Sequence, residues 1–163
     1  MSEVSPPVSP GRDYNRKLLV LIDETPECDR ALTFAAHRVK RIGGTVVLLT
    51  VVEPPGFHGL GVEDVLRAEA REEAERNLDA RIARLAKIGN IRTETVIREG
   101  RAVDEIEALI AADRGIAILV LAASTSGEGP GPLVKHFTNS GSIRIPVTIV
   151  PGALTDEEII AVS

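Results

Sequence analysis

Five apolar stretches of strand length punctuate the chain, and between them apolar residues recur at helical spacing. Leu18-Leu19-Val20-Leu21-Ile22 is a continuous apolar run, the pattern of a central strand covered on both faces. At Thr25-Pro26 the period changes, and Leu32, Ala35, Ala36, Val39 and Ile42 fall along one side of a helix. Thr25 reads as its N-cap, Pro26 as its first residue, and Glu27 and Asp29 as acids in the positive first turn, with Gly43-Gly44 closing it. Val46 to Val52 is a second buried strand, so the three elements form a β-α-β unit whose right-handed crossover predicts a parallel pair. Glu53 to Gly59 reads as a loop. From Val62 to about Ile88 a long helical pattern follows, with Val62, Leu66, Ala70, Ala74, Leu78, Ile82 and Leu85 as its apolar stripe. Its other face mixes Glu and Arg at neighbour spacing, as a solvated face does.

Ile91 to Arg98 alternates, which predicts a third strand nearer the sheet edge. Gly100 turns the chain, and Ala102 to Arg114 is a short amphipathic helix with Val103, Ile106, Leu109 and Ile110 inward. Ile116 to Ala123 is the fourth strand. It empties into a loop rich in Gly, Ser and Pro, then a short helix-compatible segment, then Gly141-Ser142. Val147 to Val150 is the fifth strand, and its flanking prolines suit a sheet edge. Thr155-Asp156-Glu157-Glu158 resembles a capping box and predicts a weak terminal helix. The fold class expected is α/β: a single-domain, open five-stranded parallel sheet with helices on both faces, over residues 17–152. Residues 1–16, poor in apolar side chains, read as a flexible N-terminal arm, and 153–163 as a C-terminal tail.

Composition narrows the function more than the fold. A length of 163 residues suits one domain. Aromatic residues are 2% of the chain and Trp is absent, so the core must be aliphatic and base-stacking platforms are disfavoured. A net charge of −5 also argues against binding a phosphate backbone, so nucleic acid is not an expected partner. Cys28 is the sole cysteine, which excludes an intrachain disulfide and a Cys-based zinc site. No apolar run approaches the roughly 20 residues of a spanning helix, and the N-terminus lacks a signal peptide's apolar core. The expectation is a cytoplasmic protein without a membrane partner. His58, in a Gly-bounded loop, has no second ligand at metal spacing and reads as a surface histidine.

Candidate chemistry concentrates between Ile116 and Gly152, because ligands of parallel α/β sheets bind outside the carboxyl ends of the strands. Loops dense in Gly bring backbone N–H groups close to an anion. Asp23, just after the first strand, has two readings: a carboxylate for a ribose hydroxyl or a metal, and turn chemistry leading into the helix. Common enzyme signatures are missing. There is no Gly-x4-Gly-Lys-Ser/Thr loop, no Gly-x-Gly-x2-Gly after the first strand and no Gly-x-Ser-x-Gly elbow. A response-regulator receiver would need Asp and Lys where this chain has Arg98-Glu99-Gly100 and Pro151-Gly152. No catalytic residue stands out.

Four features together resemble the universal stress protein family, over nearly all of Lys17 to Gly152. They are Leu18 to Asp23 followed by Thr25-Pro26-Glu27 and Arg30-Ala31-Leu32; Leu48-Leu49-Thr50-Val51-Val52-Glu53-Pro54; Gly100 with Ile106; and Gly141-Ser142 before Ile145-Pro146-Val147. The resemblance implies strand order 3-2-1-4-5 and a homodimer formed by antiparallel pairing of the last strand, here Val147 to Val150. It also implies a role in stress response, with protein partners where the fold serves as an interaction module.

Nucleotide-binding members carry Gly-x2-Gly-x9-Gly-Ser/Thr after the fourth strand. Gly131, nine intervening residues, Gly141 and Ser142 match its second half. The first Gly falls on Glu128, flanked by Gly127 and Gly129, in a loop several residues longer than the pattern. By the same resemblance Asp23 meets the ribose or metal side and Val51 the adenine. A carboxylate about 4 Å from a phosphate charge costs roughly 4 kcal/mol at an effective dielectric of about 20, close to a thousandfold in affinity. An inward Glu128 would therefore oppose phosphate, unless it shares a Mg²⁺ or is offset by Lys135 and His136. Two functions remain: a dimeric stress protein binding ATP, with Mg, at Asp23, Val51, Gly127, Gly129, Gly131, Gly141 and Ser142, and a dimeric interaction module of the same fold without nucleotide. Neither is an enzyme beyond slow, incidental ATP hydrolysis.

Overall fold

The computed structural model describes residues 16–56, 59 and 61–163. Most of the N-terminal arm, and His58, lie outside the described residues. The chain alternates β1 (Lys17–Leu21), α1 (Cys28–Ile42), β2 (Thr45–Val52), α2 (Val62–Ile88), β3 (Thr93–Glu99), α3 (Ala102–Ala112), β4 (Ile116–Ala122), α4 (Pro132–Asn139), β5 (Val147–Val150) and α5 (Asp156–Val162). The strands form one sheet in the order β3-β2-β1-β4-β5, and every neighbouring pair is parallel. This is the architecture and strand order expected. β1, at the centre, is covered on both faces, while β3 at one edge is half-exposed, as its alternation predicts.

Two aliphatic layers sandwich the sheet. Leu18, Val20, Val46, Leu48 and Val120 pack with α1, α2 and Ile159 of α5 on one face. Leu19, Leu21, Leu49, Leu119 and Leu121 pack with Ile106 and Leu109 of α3 and Val134 and Phe137 of α4 on the other. Successive strand residues thus serve opposite cores, which is why the strands read as unbroken apolar runs. A register shift between Lys17 and Leu18 changes the phase of β4, so Ile116 joins the α3 side. At the N-terminal ends of the strands, Lys17 bridges Glu94 at 3.0 Å and Asp113 at 2.8 Å. Those contacts raise the Lys17 pKa, the hydrogen bond with Asp113 foremost, and the same bond holds Asp113 below the usual carboxylate range.

Three details differ from the sequence reading. Helix α1 starts at Cys28 rather than Pro26, because the Asp23 carboxylate takes the Thr25 N–H at 2.8 Å and its hydroxyl at 2.5 Å. That Asx-type turn sends the chain through three i→i−3 bonds, Cys28 N–H to Thr25 O, Asp29 N–H to Pro26 O and Arg30 N–H to Glu27 O, before the helix settles. In α2 only Ala74, Leu78 and Leu85 of the expected stripe are buried, while Val62 is 45% and Ile82 39% exposed. Residues four apart advance about 40° past a full turn, so a stripe built on that spacing winds off the core. The terminal helix is firmer than expected. Thr155 and Glu158 complete a capping box, Ile159 is fully buried, Arg30 pairs Asp156 at 2.7 Å and Arg41 donates to the Ser163 carbonyl at 2.7 Å.

Candidate functional site

From β1 the chain crosses to β2 on one side, while β4 lies on the other, so the strand order reverses between β1 and β4. Helices α1 and α4 then sit on opposite faces, and a crevice opens outside the carboxyl ends of these two strands. A cavity of about 450 Å³ fills it, within the usual range for small-molecule sites. Leu21, Val120 and Leu121 give it apolar walls, and Asp23, the loop after β4 and the first turn of α4 form its polar side.

Asp23 makes the expected turn and stands at the edge of this cavity. Its carboxylate closes the Thr25 turn through one oxygen and also lines the cavity. Beside it, the Cys28 thiol points at the Asp23 carbonyl at 3.6 Å and lines the same space. Burial pushes the Cys28 thiol up, so it presents a neutral, soft wall rather than a thiolate.

The loop after β4 is tied down at both ends. Ser124 N–H donates to the Pro130 carbonyl at 3.0 Å, pinching the loop shut. The Thr125 hydroxyl donates to Glu27 at 2.6 Å, which joins the loop to the approach of α1 and holds the Glu27 carboxyl below the usual range. Gly131, at φ 99°, delivers the chain into α4 in a conformation that L side chains avoid, and Pro132 begins the helix. The first amides of α4 have no intrahelical acceptor and carry the positive end of the helix dipole, a favourable place for an anion. At Gly129, φ 96°, a Cβ would sit 3.3 Å from the Lys135 Cε and Nζ, so the missing side chain lets the ammonium lie against the loop. Glu128 and Lys135 both line the cavity.

Of the seven residues singled out from the sequence, the cavity gathers Asp23, Gly129 and Gly131. Gly127 belongs to the same loop, with open space on its Cβ side. Val51 lies off the lining; it pairs with Arg98 on β3 and packs half-buried on the α3–α4 side. Gly141 follows α4 at φ 58°, and the Ser142 hydroxyl donates to Glu107 of α3 at 2.6 Å. His136 Nε2 meets the same Glu107 oxygen at 3.0 Å, so His136 faces Glu107 while Lys135 faces the cavity. Ser142 first, then His136, hold the Glu107 carboxyl below its ordinary range. The Gly-Ser pattern is thus divided between the cavity and a polar cluster on α3 and α4. Glu107 and Glu27 had no short-range signal in the sequence, because their partners in these contacts come from other elements. Among the described residues no group of three or more His, Cys, Asp or Glu comes together to hold a metal ion, and no helix is long and apolar enough to cross a membrane. A cation near Asp23 or Glu128 would have to complete its shell with water and ligand oxygens.

Comparison with known proteins gives a consistent answer. Among solved structures, the universal stress protein UspA from Lactobacillus plantarum superposes with a TM-score of 0.70 at 22% identity, covering 83% of this chain and 97% of that one. The universal stress protein from Archaeoglobus fulgidus in complex with dAMP gives 0.61 at 16% identity, covering 84% and 98%. A universal stress protein family protein from Arabidopsis thaliana with AMP bound gives 0.56 at 17%, covering 87% and 94%. At such identities these likenesses speak to the fold. A search of curated proteins by sequence gives no match. The model of the universal stress protein family matches residues 15–140, most of the chain. Sheet order, switch-point cavity and family match agree, and the chain belongs to the universal stress protein family.

Proposed function

We propose that this universal stress protein binds an adenine nucleotide, ATP with Mg²⁺, in the cavity between β1 and β4, and acts as a cytoplasmic homodimer in stress response. The observation that carries the proposal is the arrangement around the cavity: apolar walls at Leu21, Val120 and Leu121, an acid at Asp23, and a glycine loop leading into the N-terminus of α4. The Archaeoglobus relative in complex with dAMP and the Arabidopsis relative with AMP bound support the choice of adenine. In this proposal Asp23 takes the ribose or metal side, and Gly127, Gly129 and Gly131 the phosphates. Val51, which lies off the lining, meets the adenine only where the base extends beyond the cavity toward β2, and Gly141 and Ser142 reach the phosphates once Ser142 releases Glu107. No residue is assigned a catalytic role, and any hydrolysis of ATP is slow and incidental.

The dimer is assigned to β5. Leu119 N–H donates to Pro146 O and Ala123 N–H to Val150 O, so the even-numbered residues of β5 bond to β4. Parallel ladders alternate, which turns the N–H and C=O groups of Val147 and Ile149 toward the open edge. A second reading, an interaction module without nucleotide, is favoured by one observation: the Ser142 hydroxyl is already committed to Glu107. Calorimetric titration of nucleotide-stripped protein with Mg²⁺·ATP, beside an assay of denatured extract for co-purified nucleotide, separates the two. Micromolar binding establishes the nucleotide class. No binding at millimolar ATP and no nucleotide in the extract would overturn it in favour of the interaction module.

A further inference from the structure

The cavity is acidic for a site that is to take a polyphosphate. Among the described residues its lining carries three carboxylates, Asp23, Glu27 and Glu128, against one ammonium, Lys135. Asp23 and Glu27 already accept hydrogen bonds from Thr25 and Thr125. Glu128 differs: its carboxylate has no hydrogen-bond or ion-pair partner among the described residues. It is carried on a sharply turned backbone between Gly127 at φ 83° and Gly129 at φ 96°. Lys135 lies against the next residue, Gly129, yet makes no ion pair with Glu128.

We propose that Glu128 is the specificity-determining residue of this cavity, admitting adenine ligands more readily the less negative charge they carry, and polyphosphates only with a divalent cation that bridges carboxylate and phosphate. The proposal rests on the adenine reading above. A carboxylate roughly 8 Å from one phosphate charge, at an effective dielectric of about 20, weakens binding about 30-fold; full screening at physiological salt reduces that to about fourfold. The penalty grows with each phosphate charge, so adenosine escapes it, AMP bears part of it and metal-free ATP most of it. Mg²⁺ reverses the sign, since it binds through one or two carboxylates together with substrate phosphates. Glu128 then changes from a repelling group into a ligand-side anchor.

The test is calorimetric titration of the wild type and Glu128→Gln with adenosine, AMP, ATP in EDTA and ATP with excess Mg²⁺. Circular dichroism checks that the variant, altered at an exposed loop residue, retains the fold. For the wild type the expected order is adenosine at least as tight as AMP, AMP tighter than metal-free ATP, and ATP strengthened about tenfold or more by Mg²⁺. In Glu128→Gln, metal-free ATP should gain about four- to 30-fold, adenosine should stay within about twofold, and the benefit of Mg²⁺ should shrink. Wild-type affinity for metal-free ATP equal to that for adenosine would overturn the proposal, as would a Glu128→Gln shift common to all ligands; both leave the adenine reading standing. Failure of adenosine, AMP and Mg²⁺·ATP to bind either protein would overturn the adenine reading itself, and the inference with it.

Discussion

Replacing Asp23 by Ala and by Asn separates its observed part in the Thr25 turn from its proposed contact with the ribose. The Ala variant removes the acceptor for the Thr25 N–H and hydroxyl, bonds of 2.8 and 2.5 Å. Hydrogen bonds to a charged acceptor contribute about 1.5–3 kcal/mol, but both Thr25 donors are exposed and water replaces the lost partner, which puts the loss near 1 kcal/mol. For a chain of this size that lowers Tm by roughly 2–4 °C. Asn retains an oxygen for the Thr25 N–H, so its cost should stay within about 0.5 kcal/mol. Binding should follow a different order. A ribose hydroxyl held by the carboxylate adds about 1.5–3 kcal/mol, so Asp23→Ala should weaken adenosine roughly ten- to hundredfold, and Asp23→Asn should weaken it as well despite near-native stability. Urea denaturation supplies the stabilities and calorimetry the affinities. If Asp23→Ala loses stability as expected but binds adenosine like the wild type, Asp23 is turn chemistry alone and the ribose assignment fails.

Other predictions concern the polar cluster, the sheet edge and the terminal helix. Glu107 has its folded pKa depressed below the unfolded value of 4.5, so its stabilising effect is full above that value and fades as pH falls through the lower folded one. Urea midpoints should therefore show Glu107→Gln less stable than the wild type at about pH 6, with the difference shrinking steadily as the pH falls below 4.5; a pH-independent difference would contradict this. Val147→Pro removes an N–H that faces the open edge and no bond of the β4–β5 ladder, so analytical ultracentrifugation should find a folded monomer. Persistence of a wild-type-like dimer would remove β5 from the interface. Thr155→Ala breaks the capping box and should cost about 1 kcal/mol, or roughly 2–4 °C in calorimetric Tm; an unchanged Tm would show that α5 is held by Ile159, the ion pairs of Asp156 and the Arg41 bond to Ser163 rather than by its cap.

The fold was legible because aliphatic strand runs and glycine or proline punctuation dominate the chain. Leu18–Ile22, Val46–Val52 and Ile116–Ala123 stand out as buried strands, and Gly43-Gly44 marks the end of α1. The strand order came from the resemblance, since several orders satisfy the same pattern of elements. Where the reading slipped, a side chain outweighed local propensity. Thr25-Pro26 has the chemistry of a helix start, but the Asp23 carboxylate captures Thr25 and delays α1. The site was legible only where residues close in sequence also meet in space, as with Gly129 and Gly131 near Lys135. The link from Thr125 to Glu27 and the one from Ser142 to Glu107 join separate elements, and no spacing rule reveals them. Glu128 was visible as a departure from a glycine pattern; its place on the cavity wall required the structure.

In the function proposed here, an adenine ligand occupies the space between β1, β4 and the start of α4. A crystal structure of the protein grown with AMP, and one with ATP and Mg²⁺, tests it most directly. Density for the nucleotide is expected in that cavity, with a ribose hydroxyl about 2.6–3.2 Å from the Asp23 carboxylate and phosphate oxygens facing the first amides of α4. A nucleotide bound elsewhere on the chain, or an empty cavity at saturating ligand, would contradict it.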